Sequence, residues 1–243
     1  MDFDLSSEQA DICRAVRDVA ARFTDDYWRE RDARHEFPWE FYAAMAAGGW
    51  LGIAIPERYG GGGLGTTEAG LLLEEVAASG AAMNGCSAIH LTIFGLNPVV
   101  RHGSPELQAA VLPRAAAGDL HVSFAVTEPD AGTDTSAITT SARRHGAGYL
   151  VSGRKVWTSK AQVSEKMLLL TRTASAPRAW VSATCWTAST PSAFCSPMNP
   201  SASAGRRVER YFREARLIRI APVSQEMTLS YLAAHVLGLP RSY

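Results

Sequence analysis

The sequence predicts an α+β fold, with an N-terminal all-α domain, an incomplete antiparallel β-domain and a short C-terminal helical segment. Apolar residues recur at helical spacing over most of the first 120 residues, and short runs of β-type residues follow from His121. Helices followed by strands favour separate helical and sheet layers over an alternating α/β fold. We expect four regions: a helical domain at 1–120, a partial β-domain at 121–172, a linker-like or aberrant stretch at 173–207, and a C-terminal helical remnant at 208–243.

The first helices have clear start signals. Ser6 and Gln9 form an S-x-x-Q capping box, and the apolar residues after it predict a helix that ends near Thr24. Pro38 begins a second helix, which the Gly48-Gly49 pair closes. Another helix is expected to begin at Thr66 or Thr67.

Prolines divide the remainder of the helical region. Residues 83–102 are mostly apolar, and Pro98 predicts a kink or break within them. The sequence Ser104-Pro105-Glu106 places a cap, a proline and an acid in the order that begins a helix. We expect that helix to break before Pro113 and a last short turn to end at Gly118.

Five short strands are expected after the helices. A turn at 145–148 predicts a hairpin, because it holds two glycines between β-type residues. The expected strands are Val122 to Thr127, Ala137 to Ala142, Tyr149 to Ser152, Lys155 to Ser159, and Met167 to Thr171.

Composition excludes several classes of function. The 243 residues carry a formal net charge of zero, which argues against nucleic-acid binding because phosphates require a basic excess. No apolar run reaches 18 residues, so no membrane span is expected, and the acidic start does not resemble a signal peptide. The four cysteines show no ligand or redox spacing and indicate free thiols in a reducing cytoplasm.

The stretch from Phe124 to Ala137 carries the strongest functional signal. A strand end at Thr127 is stopped by Pro129, and a small polar turn with Gly132 and Thr133 follows. Such a turn can present backbone donors and hydroxyl groups to the edge of a flat, polar-rimmed ligand. The alternative is a strand and turn without a ligand.

Three motifs lie within roughly the first 170 residues. The stretch T-E-P-D-A-G-T-D-T-S-A begins at Thr127, and G-R-K-V-W-T-S begins at Gly153. Upstream, I-P-E-R-Y-G-G-G-G-L-G begins at Ile55; taken alone, its glycines favour a flexible turn over a phosphate loop. In this order the three motifs resemble those of the acyl-CoA dehydrogenases, flavoenzymes that desaturate acyl thioesters, and the last 35 or so residues resemble that family's C-terminal end.

The resemblance implies a cofactor, a reaction and a set of site residues. It implies FAD, with α,β-desaturation of an acyl-CoA thioester and an electron-transferring flavoprotein as acceptor, within fatty acid metabolism. Thr133 matches the residue at the mouth of the acyl-CoA site. The residues implied to contact FAD are Phe124, Ala125, Val126, Thr127, Gly132, Thr133, Trp157, Thr158, Ser159 and Ser224.

The catalytic base stays unassigned. Many family members carry a glutamate in a Glu-Gly-Thr turn near the C-terminus, and Pro222 occupies the matching position here. Glu226 is displaced from that position and is better explained as an acid in a helix first turn. Glu128 and Asp134 are expected to be structural carboxylates, and His90 a core histidine, so no residue is given a catalytic role.

The stretch 173–207 differs from the remainder of the chain. It contains no Asp or Glu, and serine, threonine, alanine and proline dominate it. A low-complexity linker is one interpretation, and a coding sequence translated out of frame is the one we prefer. The resulting functional hypotheses are a truncated or frameshifted acyl-CoA dehydrogenase, a catalytically inactive remnant, or a helical interaction module.

The C-terminal segment predicts two helices. One spans Val208 to Leu217, and Ser224 can cap a second that ends at Gly238. In the family the corresponding helices pack within a bundle that commonly forms homotetramers. The resemblance therefore implies a homo-oligomer, and the sequence leaves the oligomeric state of this chain open.

Overall fold

The computed structural model describes residues 4–146, 148–173 and 182–187, together with Ala233. The two expected C-terminal helices and most of the stretch 173–207 lie outside these residues. The helices are α1 Ser7–Ala20, α2 Asp25–Arg34, α3 Trp39–Ala47, α4 Thr66–Val76, α5 Ala82–Ile93, α6 Asn97–His102 and α7 Pro105–Ala117. The strands are β1 Val122–Ala125, β2 Ser141–His145, β3 Gly148–Ser152, β4 Lys166–Thr171 and β5 Ser182–Thr187.

The capping box at the start of α1 is present in full. Ser6 Oγ accepts from the Gln9 amide at 3.2 Å, and the Gln9 side chain accepts from the Ser6 amide at 3.1 Å. The helix ends at Ala20, however, and the expectation of an end near Thr24 is wrong. Thr24 has an extended backbone and begins α2, a helix that the apolar pattern did not predict because only Trp28 is buried on it.

The helical domain packs around aromatic side chains. Trp28 and Phe41 are fully buried with ring centroids 5.0 Å apart, in an edge-to-face arrangement. The Trp28 indole N–H is not left unpaired, because it donates to Phe23 O at 3.1 Å. Helices α1, α3, α4 and α5 contribute the apolar side chains of this core, among them Ile12, Val16, Met45, Leu72, Val76, Ile89 and Ile93.

The prolines of the helical region have different effects. Pro98 falls in the first turn of α6, so the long apolar stretch is split there as expected. Pro113 does not break α7, which continues to Ala117 and ends at Gly118. Leu112 and Ala115, on either side of Pro113, are fully buried, and their packing offsets the one backbone hydrogen bond that the proline removes.

Two sheets follow the helices. β2 and β3 form the expected hairpin, with Ser141 opposite Ser152, and β4 pairs with β5 in antiparallel fashion. β1 departs from the antiparallel pattern expected for this domain, because it runs parallel to β4 with Val122 opposite Lys166. The long connection between these strands allows the chain to return and enter β4 in the same direction.

Two expected strands are absent from their predicted positions. The segment 137–142 begins in a tight turn, Thr135–Ala137, and becomes a strand only at Ser141. The segment 155–159 is not a strand, since Trp157 has a φ of 58° that β-structure does not allow. Among the described residues, no helix has both the length and the apolar character that crossing a membrane requires.

A second apolar cluster joins the helices to the sheet. Leu112 and Ala115 of α7 pack in the same cluster as Val122 of β1 and Leu168 of β4. All four side chains are buried, so the sheet extends the helical core and does not stand apart from it.

Candidate functional site

The end of β1 meets the segment 155–160, which holds most of the motif that begins at Gly153. The Val156 amide donates to Thr127 O at 2.9 Å, and Lys155 Nζ donates to Val126 O at 2.8 Å. These two bonds place Thr127 beside the residues that precede Trp157. The fold therefore brings two motifs that lie about thirty residues apart in sequence to one place.

A buried ion pair lies beneath this junction. Lys155 Nζ is 2.8 Å from Glu128 Oε1, and the two side chains are 7% and 4% exposed. Glu128 Oε2 also accepts from the Thr139 amide at 2.6 Å and from Thr139 Oγ1 at 2.8 Å, and Oε1 accepts from the Thr140 amide at 2.9 Å. One carboxylate thus connects three segments of the site.

The surroundings of Glu128 fix its charge. Burial by itself raises the pKa of this carboxyl, but hydrogen bonds from Lys155 and from the 139–140 segment outweigh burial and lower the pKa to about 2. Burial lowers the pKa of Lys155, and the contact with Glu128 opposes that change. Glu128 is therefore an ionised, salt-bridged carboxylate, in agreement with the structural role expected for it.

The turn after β1 exposes the glycine and threonine that the sequence singled out. The Glu128 amide donates to Ala131 O at 2.9 Å and the Ala131 amide donates back to Glu128 O at 3.2 Å, which closes a tight turn. Gly132 and Thr133 follow on the surface, and a Cβ added at Gly132 would meet no atom within 4 Å. Open space beside a glycine lets a ligand approach the backbone closely.

Asp134 has a local role. Its Oδ1 accepts from the Ser136 amide at 2.9 Å and from Ser136 Oγ at 2.5 Å, and these bonds begin the short turn at Thr135–Ala137. The same hydrogen bonds lower the pKa of the Asp134 carboxyl. The structural role expected for Asp134 agrees with these contacts.

Trp157 is the most unusual residue of the site. Its side chain is 76% exposed, the largest exposed fraction among the large apolar side chains described, and its backbone is left-handed. A bulky residue with positive φ is strained, and such strain persists only where the surrounding structure imposes it. Ser159 is also exposed and Thr158 is half-buried, so the segment presents an indole ring and a hydroxyl to solvent.

Lys160 is a residue that the sequence reasoning missed. Its amine donates to Ala88 O of α5 at 2.9 Å and lies 4.7 Å from the Tyr42 ring centroid and 5.4 Å from that of Phe37. Burial lowers the pKa of this amine to about 8. No sequence pattern pointed to it, because Ala88, Tyr42 and Phe37 all lie about seventy or more residues away in sequence.

His121 belongs to the same aromatic group. Its ring stacks on Tyr42 with centroids 4.3 Å apart, and burial, aided by the charge of Lys160, lowers its pKa to about 4. His90, by contrast, bonds to Cys86 O of its own helix at 3.0 Å, as expected of a structural histidine.

Most of the described residues of the expected flavin contact set lie along the two segments that meet at this junction, and Gly132 and Thr133 lie on the turn that follows β1. Phe124, Val126 and Thr127 are half-buried, Ala125 is fully buried, and Gly132 and Thr133 lie on the surface turn. Trp157, Thr158 and Ser159 follow the Val156 bond to Thr127. Ser224 lies outside the described residues, so its place in the set stays a prediction.

Two family models match the chain in succession. The model of the acyl-CoA dehydrogenase N-terminal domain matches residues 6–119, and the model of the acyl-CoA dehydrogenase middle domain matches residues 123–206. The second match extends over nearly all of the stretch 173–207. The domain boundaries and the reading-frame hypothesis for that stretch stay predictions.

Curated relatives support the same assignment. The acyl-CoA dehydrogenase FadE12 of Mycobacterium tuberculosis is 36% identical over 170 residues, which are 69% of this chain and 42% of that protein. Benzylmalonyl-CoA dehydrogenase of Aromatoleum aromaticum is 32% identical over 176 residues, 71% of this chain and 45% of that protein. The chain thus spans less than half the length of these relatives.

Solved structures share the fold. A probable acyl-CoA dehydrogenase from Mycobacterium abscessus has a TM-score of 0.70 at 26% identity, over 76% of this chain and 50% of that one. The FAD complex of PigA has a TM-score of 0.69 at 26% identity, over 79% and 50%. A glutaryl-coenzyme A dehydrogenase in complex with glutaryl-CoA has a TM-score of 0.67 at 28% identity, over 77% and 48%. With its three motifs, its matched domains and this shared fold, the chain belongs to the acyl-CoA dehydrogenase family.

Proposed function

We propose that the chain binds FAD at the junction of β1 with the segment 155–160 and takes part in the α,β-dehydrogenation of an acyl-CoA thioester. The observation that carries this proposal is the hydrogen bond from the Val156 amide to Thr127 O, which unites the two motifs. The FAD complex of PigA and the glutaryl-CoA complex of its dehydrogenase support the choice of cofactor and substrate class.

The residues at the junction fit a flavin. Trp157 offers a broad apolar face that is 76% exposed, and Thr127, Thr133 and Ser159 supply hydroxyl donors. The open space at Gly132 leaves room for a planar ring next to the backbone. Bound FAD would supply the hydride-accepting chemistry, while these residues would bind and orient it.

The proton-accepting group of the reaction is not assigned. Glu128 is held ionised by Lys155 and the 139–140 segment, and Asp134 is engaged by Ser136. A carboxylate with a pKa of about 2 is a weak base at neutral pH, so Glu128 is unsuited to abstract a proton from a carbon acid. Pro222, which occupies the position of the family's glutamate, and the displaced Glu226 both lie outside the described residues.

A flavin-dependent dehydrogenase needs an electron acceptor. A flavin reduced by an acyl-CoA must be reoxidised before the next turnover, and we propose an electron-transferring flavoprotein for that step, as the family resemblance implies. A solved structure from work on the electron-transferring flavoprotein of Acidaminococcus fermentans is similar in fold, with a TM-score of 0.68 at 27% identity over 79% of this chain and 50% of that one.

Titration of the purified protein with FAD tests the proposal. We expect saturable binding with quenched flavin fluorescence, and a weaker complex for Trp157→Ala because the indole face is lost. Leu150→Ala removes another side chain that is 65% exposed, on β3, and serves as the matched control. No saturable FAD binding by the full chain would contradict the proposal.

Activity distinguishes the hypotheses that remain. Reduction of the bound flavin by a panel of saturated acyl-CoA thioesters would establish a dehydrogenase. FAD binding without reduction by any of them would favour the catalytically inactive remnant. A stable complex of the helical region with a protein partner, in the absence of flavin, would favour the interaction module.

A further inference from the structure

The segment that carries Trp157 is strained at two positions. Trp157 and Lys160 have φ values of 58° and 62°, in the left-handed region that side chains other than glycine rarely adopt. Strain of this kind is retained only where surrounding contacts over-determine the backbone. The contacts that hold the segment therefore decide the direction in which its exposed indole points.

The N-terminal end of the segment is held by the sheet. Lys155 reaches Val126 O and Glu128, and the Val156 amide reaches Thr127 O. These contacts fix the chain just before Trp157. All of these contacts are made to residues of the β-region. The C-terminal end of the segment, at Lys160, is held by other contacts.

Lys160 holds that end and attaches it to the helical domain. Its amine donates to Ala88 O at 2.9 Å and faces the rings of Tyr42 and Phe37. No Asp or Glu among the described residues lies within ion-pair distance of this amine, so the helical carbonyl and the aromatic faces are its anchors. The Lys160 carbonyl in turn accepts from the Val163 amide at 3.1 Å and from Ser164 Oγ at 2.8 Å.

We propose that Lys160 is a positioning residue, which clamps the Trp157–Ser159 segment between the sheet and helix α5 and thereby fixes the surface that this segment offers to FAD. The statement about FAD rests on the proposed function, whereas the attachment of the segment by Lys160 does not. Lys160 acts through Trp157 and Ser159 and not through contact with the flavin.

The clamp is tested with three variants of the full chain. Lys160→Met keeps the length of the side chain but removes both the charge and the hydrogen bond, and Lys160→Arg keeps both. Arg154→Met is the matched control, because it removes a cation from an exposed side chain at the start of the same loop. Hydrogen exchange over residues 155–164 and the Kd for FAD are measured for each.

We expect Lys160→Met to speed amide exchange over 155–164 by about tenfold and to weaken FAD binding by about tenfold, as loss of a desolvated cation–π contact and a hydrogen bond implies. Lys160→Arg should restore both quantities to within about threefold of the parent protein, and Arg154→Met should change neither. Unchanged exchange in Lys160→Met would overturn the clamp. Faster exchange with an unchanged Kd would overturn its link to FAD.

A variant on the other side of the contact covers the case in which Lys160→Met does not fold. Phe37→Leu removes one of the two rings and leaves Lys160 in place, and we expect an intermediate rise in exchange over 155–164. Exchange equal to that of the parent protein would contradict the clamp. If the parent protein fails to bind FAD, the proposed function fails, whereas the exchange measurements still decide whether Lys160 holds the segment.

Discussion

At the scale of single residues, the buried pair of Glu128 and Lys155 is the most consequential contact of the site. Each charge has been removed from water, and each is stabilised by the other and by further hydrogen bonds. Removing one member leaves the other buried and unpaired, which is more damaging than replacing both. The pair therefore constrains the site, because a substitution of either partner alone leaves an uncompensated charge in the interior.

We predict that Glu128→Gln lowers the free energy of unfolding by about 3 kcal/mol, because Lys155 is left without a counter-ion. Glu128→Gln combined with Lys155→Met should recover part of that loss. Asp134→Asn is the control, as its carboxylate is exposed and its loss should change stability far less. Urea unfolding monitored by circular dichroism gives the values, and equal losses in the single and double variants would contradict the argument.

The Glu128 carboxylate makes the stability of the protein depend on pH. Its pKa is about 2 in the folded protein, below the ordinary value of 4.5, so the unfolded chain binds the proton more readily. The stabilisation is fully present above about pH 4.5 and is lost as the pH falls toward 2, by up to about 3 kcal/mol. Urea midpoints measured between pH 5 and pH 3 should fall less steeply in Glu128→Gln than in the parent protein; parallel curves would refute this.

At the scale of secondary-structure elements, the end of α7 depends on a glycine. Gly118 has a φ of 86°, and a Cβ there would lie 2.6 Å from Ala46 Cβ of α3. Both the left-handed backbone and the close approach of the two helices require the absence of a side chain. This position therefore determines how closely α7 and α3 can pack.

We predict that Gly118→Ala lowers the free energy of unfolding by about 2 to 3 kcal/mol, since it combines backbone strain with overpacking. Gly49→Ala separates the two effects, because Gly49 has a φ of 75° but no atom within 4 Å of the added Cβ. That control should lose only about 1 kcal/mol. Urea unfolding of both variants provides the comparison, and equal losses would show that the contact with Ala46 is unimportant.

The sequence predicted the helix starts and ends that are formed by neighbouring residues. The capping box at Ser6, the start at Ser104 and the end at Gly118 are visible because the residues that make these contacts are neighbours in sequence. The division between α1 and α2 was missed, since α2 has little apolar periodicity, and the continuation of α7 through Pro113 depends on burial. Tertiary packing decided both cases.

The site was predictable only in part, for a similar reason. The motif residues around Thr127 and Trp157 were identified through resemblance, and the fold places them together. A strand was expected at 155–159, because β-type residues indicate a strand unless distant contacts impose a positive φ. The anchoring of Lys160 on Ala88 and the parallel pairing of β1 with β4 join segments far apart in sequence, which no local pattern encodes.

At the scale of the whole molecule, the helical region and the sheet share one of the two apolar clusters that the described residues form. Leu168 of β4 is 2% exposed and packs in the cluster that contains Leu112 of α7 and Val122 of β1. A cavity at this position would remove contacts from both regions at once. The two regions are therefore expected to lose structure together.

We predict that Leu168→Ala lowers the free energy of unfolding by about 3 kcal/mol and reduces hydrogen-exchange protection in α7 as well as in β4. Leu150→Ala is the matched control, because this exposed leucine should change stability by less than about 0.5 kcal/mol. Exchange followed by mass spectrometry resolves the two regions. Loss of protection in β4 alone would show that the shared cluster does not couple them.

The parallel pairing of β1 with β4 has a consequence for synthesis on the ribosome. The helical residues leave the exit tunnel first and can bury Trp28 and Phe41 while the remainder is still being translated. β1 gains its described neighbour only after residues 166–171 have emerged, more than forty positions later. Until then β1 has no strand partner among the described residues, so its edge is open to pairing with another chain.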